Sequence, residues 1–261
     1  MNRSSDYQLK KLIVDMVVEG GDGHIPSAFS IFDIIAVVYR DWLNINSSNY
    51  NSELRDYFIL SKGHGCLALY AILYDIGILT DREISGFCKF GGVLGEHPDL
   101  TKAPGAEASS GSLGHGLPFA VGIAYGLRKQ QRANKVVVLV GDGECHEGSV
   151  WEAANLAVNH GLSNLTVIVD LNGSAAQLLP IDNMVDKWSG FGWAVIEVLD
   201  GNDKQQIMNA FIERDSIKEG PAVIVAHTTK GNGVSMLEGH GPWHHKIPDQ
   251  QEYDQILKEL A

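Results

Sequence analysis

With 261 residues, 44% of them hydrophobic and 20% charged, the chain can bury a large core and has the makeup of a soluble globular protein. Its formal net charge of −12 removes the basic face that nucleic-acid binding needs, and no stretch reaches the roughly 20 apolar residues of a membrane span. Anionic ligands stay open, because backbone amides and a metal ion can hold a phosphate on an acidic protein. The three cysteines, Cys66, Cys88 and Cys145, lack zinc-like or paired spacing and read as reduced thiols. The amino terminus is charged and has no signal-peptide core, so the expected compartment is the cytoplasm.

In chain order, apolar spacing predicts a helix over 7–19 that ends at Gly20-Gly21. A glycine-rich turn, GGDGHIPSAFS, then leads into a helix over 30–43, SIFDIIAVVYRDWL. Residues 57–60 read as a strand, followed by SKGHGC and a helix over 67–77. The stretch 86–118 reads as a long loop, and its distinctive polar residues mark it as functional. After a helix over 117–130 the pattern becomes regular: strand 136–140, helix 150–160, strand 165–170, helix 184–189. Strand 193–198, helix 204–214, strand 222–226 and a last helix, DQQEYDQILKEL, complete it. Strands alternating with helices predict an α/β fold, a doubly wound parallel sheet with helices on both faces, as a single domain over 1–261. Trp151 and Trp188 fall at apolar helix positions and are expected to pack in the core.

Ligands of such sheets bind outside the carboxyl ends of the strands. Asp142 follows one predicted strand and Asn172 follows the next, so both can face one crevice. Gly141 and Gly143 allow close backbone approach, and the amides leading into the next helix can face an anion. A carboxylate, an amide oxygen and a backbone carbonyl suit Mg²⁺ better than zinc. Either turn alone is ordinary. Gly-Asp-Gly, then 28 residues (144–171) holding a helix and a strand, then Asn172, is far more specific.

That combination matches the thiamine diphosphate motif, and its surroundings resemble the amino-terminal, diphosphate-binding half of transketolase. The resemblance spans about residues 12–248 and rests on GHIPSAFS (23–30), LSKGHGCLALY (60–70), GEHPDL (95–100), PGAEASSGSLGHGLPFAVG (104–122), GDGECHEGSVWEA (141–153) and HTTKGNGVS (227–235). It implies thiamine diphosphate and Mg²⁺ as cofactors. Asp142 and Asn172 would ligate the metal through side chains and Ser174 through its carbonyl. Gly141, Gly143 and the amide of Glu144 would lie against the diphosphate. The segment Gly111-Ser112-Leu113-Gly114 would meet the aminopyrimidine side, and Glu147 would join a carboxylate network between two cofactor sites. His24, His64 and His97 match histidines of the substrate channel and cofactor. Of His240, His244 and His245, the spacing from the tryptophan favours His244. His115 and His146 are left open. One departure stands out: GSAAQ follows Asn172, where transketolases commonly carry a large aliphatic side chain near the thiazolium.

The resemblance further implies transfer of a two-carbon ketol unit from a ketose to an aldose acceptor, with sugar phosphates as the implied donors. It also implies a separate partner subunit carrying the pyrimidine-binding domain, in an α2β2 heterotetramer, with no nucleic acid and no membrane involved. Alternatives are the α subunit of a 2-oxo-acid dehydrogenase, a 1-deoxyxylulose-phosphate-synthase-like enzyme, or a cofactor-binding regulatory pseudoenzyme. The three histidine blocks favour a polyhydroxylated donor over a small 2-oxo acid.

Overall fold

The computed structural model describes residues 4–180, 183–239 and 241–261, apart from the side chains of Gln177 and Pro242. Helix α1, Asp6–Gly20, starts at a capping box in which Ser5 Oγ accepts the Gln8 N–H and the Gln8 side chain accepts the Ser5 N–H. It stops where Gly21, at φ 73°, turns left-handed. Helix α2, Ile25–Val37, begins at Ile25 rather than at residue 30. Pro26 lies in its first turn, where a missing N–H leaves no bond unmade, so the Ile25–Ser30 part of the segment read as a turn is the helix's own start. His24 is therefore the N-cap, held at the end of a wholly buried helix. A π turn, Val38–Trp42, follows.

Helix α3, Cys66–Asp75, and a short helix α4, Asp81–Ser85, come next. The periodicity did not predict α4, although Thr80 and Glu83 form its capping box. Helices α5, Gly116–Lys129, α6, Gly148–Asn159, α7, Met184–Gly190, α8, Lys204–Ser216, and α9, Gln250–Leu260, fall within a few residues of the expected ones. The five strands are β1, Tyr57–Leu60, β2, Val136–Gly141, β3, Leu165–Leu171, β4, Ala194–Val198, and β5, Ala222–His227. All pair in parallel, in the order β1-β2-β3-β5-β4.

Alternate strand residues feed two cores. Phe58, Val137, Leu139, Ile168 and Ile224 join the cluster made with α1, α2, α3, α8 and α9. Ile59, Val136, Val138, Val167 and Val223 join the cluster made with α5, α6 and α7. The sheet is thus covered on both faces, which is why the central strand β2 is apolar and buried along its whole length. Trp188 is fully buried, with ring centroids 5.2 Å from Trp151 and 4.9 Å from Trp193. Among the described residues, no helix is long and apolar enough to cross a membrane.

The register matters for the site. Leu60 pairs with Leu139, Gly141 with Asp170, and Leu171 with His227. The carboxyl ends of four adjacent strands are therefore nearly level, and the residues just beyond them meet.

Candidate functional site

Asp142 leaves β2 at the start of a tight turn, Gly143–His146, and its carboxylate accepts the Gly143 N–H at 2.7 Å. It is only 6% exposed, and among the described residues no salt bridge reaches it. Burial pushes its pKa up. A buried carboxylate without a paired cation is costly, and a divalent ion would relieve it.

Asp170, the last polar group of β3 and fully buried, organises the next strand end. It accepts hydrogen bonds from Ser30 Oγ at 2.8 Å, Asn172 Nδ2 at 2.9 Å, Thr228 Oγ1 and the buried Lys62 ammonium. One carboxylate thus ties α2 to the ends of β1, β3 and β5. Asn172 Nδ2 also donates to Ser30 Oγ at 3.2 Å, while its Oδ1 accepts the Ser174 N–H at 2.9 Å. Fixing the amide nitrogen in this way leaves the oxygen with lone-pair capacity for another partner.

Glu144, 1% exposed, turns its carboxylate inward. It accepts from Ser61 Oγ and from the Gly114 and Gly141 N–H groups at 2.8 and 3.1 Å, holding the 111–115 segment against β2. Burial raises its pKa. Its side chain is thereby committed to internal bonds, so only its amide is left for an anion. Gly116 is needed at this join, since a Cβ there would collide with Ser61.

Opposite Asp142, Lys230 Nζ donates to Ser174 Oγ at 2.8 Å and lies 3.1 Å from His244 Nδ1. Burial, then the Lys62 charge, lowers the pKa of Lys230. A cavity of about 520 Å³ opens between these groups, lined by Lys62, His64, Leu113, Asp142, Gly143, Asn172, Ser174, Lys230 and His244 among others. Gly141 and Glu144 also reach it.

The histidines gather at its side. The His24 ring lies 5.8 Å from that of His64 and 5.2 Å from that of His244, centroid to centroid. His97 packs against Gly111, where a Cβ would be 3.1 Å from the ring. Its charge is close enough to disfavour protonation of both His24 and His64. Burial, reinforced by His244, lowers the pKa of His24 to about 4, and burial with the Lys62 charge lowers that of His64 to about 2. Burial and the Lys230 charge lower that of His244 as well.

These shifts have a sign. Each folded histidine holds its proton less tightly than the unfolded chain does, so the unfolded state binds more protons below the ordinary histidine pKa. Stability is therefore expected to fall as pH drops from about 6.5 toward 4. His64→Gln should flatten that loss, as read from urea midpoints measured against pH. An equally steep loss in the variant would remove His64 as its source.

The other anticipated residues lie around the cavity rather than in it. Gly114, at φ 82°, packs on Glu147, with a Cβ position 2.6 Å from the Glu147 Cβ. Ser112 and Glu147 are exposed. His115 is exposed, and His146 Nε2 lies 2.9 Å from the Leu179 carbonyl oxygen. His240 lies outside the described residues. Sequence reasoning missed Asp170, Lys62, Ser61 and Lys230. The available signal was a charged residue ending an otherwise apolar strand, VIVDL, and lysines inside two of the motif blocks.

The donor set fits a hard cation. Asp142, Asn172 and Ser174 offer oxygen, and among the described residues that line the cavity there is no cysteine. Lys230 and the Gly143 turn offer positive charge and amide donors to an anion beside it.

Residues 2–260 match the family described as transketolase, thiamine diphosphate binding domain. The chain is 34% identical over 257 residues to a subunit of the apulose-4-phosphate transketolase of Phocaeicola vulgatus, covering 97% of this chain and 91% of that one. It is 31% identical over 257 residues to the 6-deoxy-6-sulfo-D-fructose transketolase subunit SqwG of a Clostridium species, covering 97% and 93%. Among solved structures, transketolase from Leishmania mexicana superposes with a TM-score of 0.89 at 28% identity. That match covers 99% of this chain and 42% of the solved one, so the chain spans about two fifths of that enzyme's length.

Proposed function

The chain belongs to the transketolase family, and from that premise we propose that it is the amino-terminal, diphosphate-binding subunit of a two-chain transketolase, with residues 1–261 as one domain. It would transfer a two-carbon ketol unit from a ketose to an aldose in the cytoplasm. The observation that carries the reading is the cavity itself, in which Asp142, Asn172 and Ser174 stand across from Lys230 and beside His24, His64 and His244. Two relatives of similar length are named as subunits, one for a phosphorylated and one for a sulfonated sugar. A donor ketose with a terminal anion follows by analogy.

In this proposal Asp142, Asn172 and the Ser174 carbonyl hold Mg²⁺, and the Gly143 and Glu144 amides with Lys230 face the diphosphate. Thiamine diphosphate, when bound, supplies the electron sink for carbon–carbon cleavage. The protein positions the donor and moves protons. Neutral imidazoles suit this, because each offers one N–H donor and one acceptor nitrogen to a sugar hydroxyl. The low pKa values of His24 and His64 keep them neutral at physiological pH. His97 completes the set from the loop side, and His244 lies against Lys230. Leu113 lines the cavity, and the segment Gly111-Ser112-Leu113-Gly114 would meet the aminopyrimidine. Exposed Glu147 would face a second cofactor site in an α2β2 assembly with a pyrimidine-binding partner.

His24→Ala and His64→Ala, assayed in the assembled enzyme, should each lower ketol transfer by about 10²-fold or more, the usual worth of acid–base groups. The folded fraction should stay near that of the parent. Near-native turnover in both variants would end the proton-handling role.

A further inference from the structure

His24 also meets acidic groups and a further histidine, His245, whose ring centroid lies 4.7 Å from its own. His24, Glu96 and His245 each place a donor atom within 4.8 Å of the other two. Glu96 Oε1 lies 3.2 Å from His24 Nδ1 and 3.4 Å from His245 Nε2. Asp22 Oδ1 lies 2.6 Å from the same His245 nitrogen. His24 Nδ1 is buried and makes no hydrogen bond, so the short approach of Glu96 is not aligned as one.

We propose that His24, Glu96 and His245 form a binding site for a divalent transition ion of the zinc class. Ligands about 2.1 Å from a tetrahedral zinc stand about 3.4 Å from one another. The two nitrogen–oxygen separations match that edge, and His245 Nε2 would exchange its Asp22 contact for the ion. Two imidazoles and one carboxylate are a donor set that selects zinc, cobalt or nickel over Mg²⁺, and they leave a fourth position for water. Asp22 adds a second negative charge beside it.

The supports are fixed. His24 is the N-cap of α2, and the backbone around Glu96 is held by Cys66 Sγ, 2.9 Å from the Glu96 carbonyl oxygen, and by Tyr70 Oη, 3.1 Å from that of Gly95. This site is distinct from the oxygen-donor set of Asp142, Asn172 and Ser174. An ion here occupies His24 and inhibits ketol transfer, a consequence that rests on the proposed transketolase reading, whereas the binding does not.

Co²⁺ titrated into the purified full chain in excess Mg²⁺ tests the binding. The expected result is one equivalent per chain, with the intense visible bands of four-coordinate cobalt and no thiolate charge transfer. His245→Gln and Glu96→Gln should each weaken uptake by about 100-fold or more, since even outer-sphere changes cost 10–100-fold. Asp142→Ala should leave it unchanged. Absence of one-equivalent uptake, or equal affinity in His245→Gln, overturns the site. In the assembled enzyme, Zn²⁺ should inhibit the parent and spare His245→Gln. An enzyme inactive without zinc would count against the transketolase reading and leave the cobalt result standing.

Discussion

At saturating thiamine diphosphate and Mg²⁺, the purified chain alone is expected to transfer no ketol unit above background. Mixed with a pyrimidine-binding partner, it should elute as a larger species and turn over. Cofactors commonly bind in clefts between domains, and this chain corresponds to 42% of the Leishmania enzyme it superposes on. The cavity at the strand ends holds groups for a diphosphate and a metal, and in the proposed assembly the partner brings the pyrimidine-binding domain. Apolar side chains stand ready for a second surface. Leu178, beside the cavity, is 93% exposed, and α5 exposes Phe119 and Tyr125 while α6 exposes Leu156. Such exposure marks interaction surfaces when it is contiguous. Gel filtration and a coupled ketol-transfer assay read both outcomes, and full activity from the chain alone would sink the two-chain reading.

Asp142→Ala is expected to weaken binding of Mg²⁺ and thiamine diphosphate by about 100-fold or more, roughly 3 kcal/mol. The same variant should melt no lower than the parent in the absence of metal. Burial raises the Asp142 pKa, so the folded carboxyl holds its proton more tightly than the unfolded one, and ionising it at neutral pH costs the metal-free fold stability. Removing the group removes that cost. Calorimetry for affinity and a thermal melt for stability separate the two effects. Unchanged affinity in a folded variant would take Asp142 out of the metal site.

Local elements, and the placing of Asp142 and Asn172 at neighbouring strand ends, could be read from the chain before any packing was known. Alternating apolar runs and helical spacing are written in neighbouring residues, so the strands and most helices were legible to within a few positions. Asp142 and Asn172 were legible for the same reason, since each directly follows an apolar strand at a recognisable spacing. Helix α2 was misplaced at its start because glycines and a proline resemble a turn, although proline is equally at home in a first helical turn. Strand order was beyond local reading. Tertiary packing alone put β5 between β3 and β4 and brought the β5 end beside β3. The interior polar network was hidden likewise, because its partners are far apart in the chain: Lys62 and Asp170 are 108 residues apart, Ser61 and Glu144 83, and Ser30 and Asp170 140. A buried charge is tolerable only with its partners in place, and those partners exist only once the sheet has assembled.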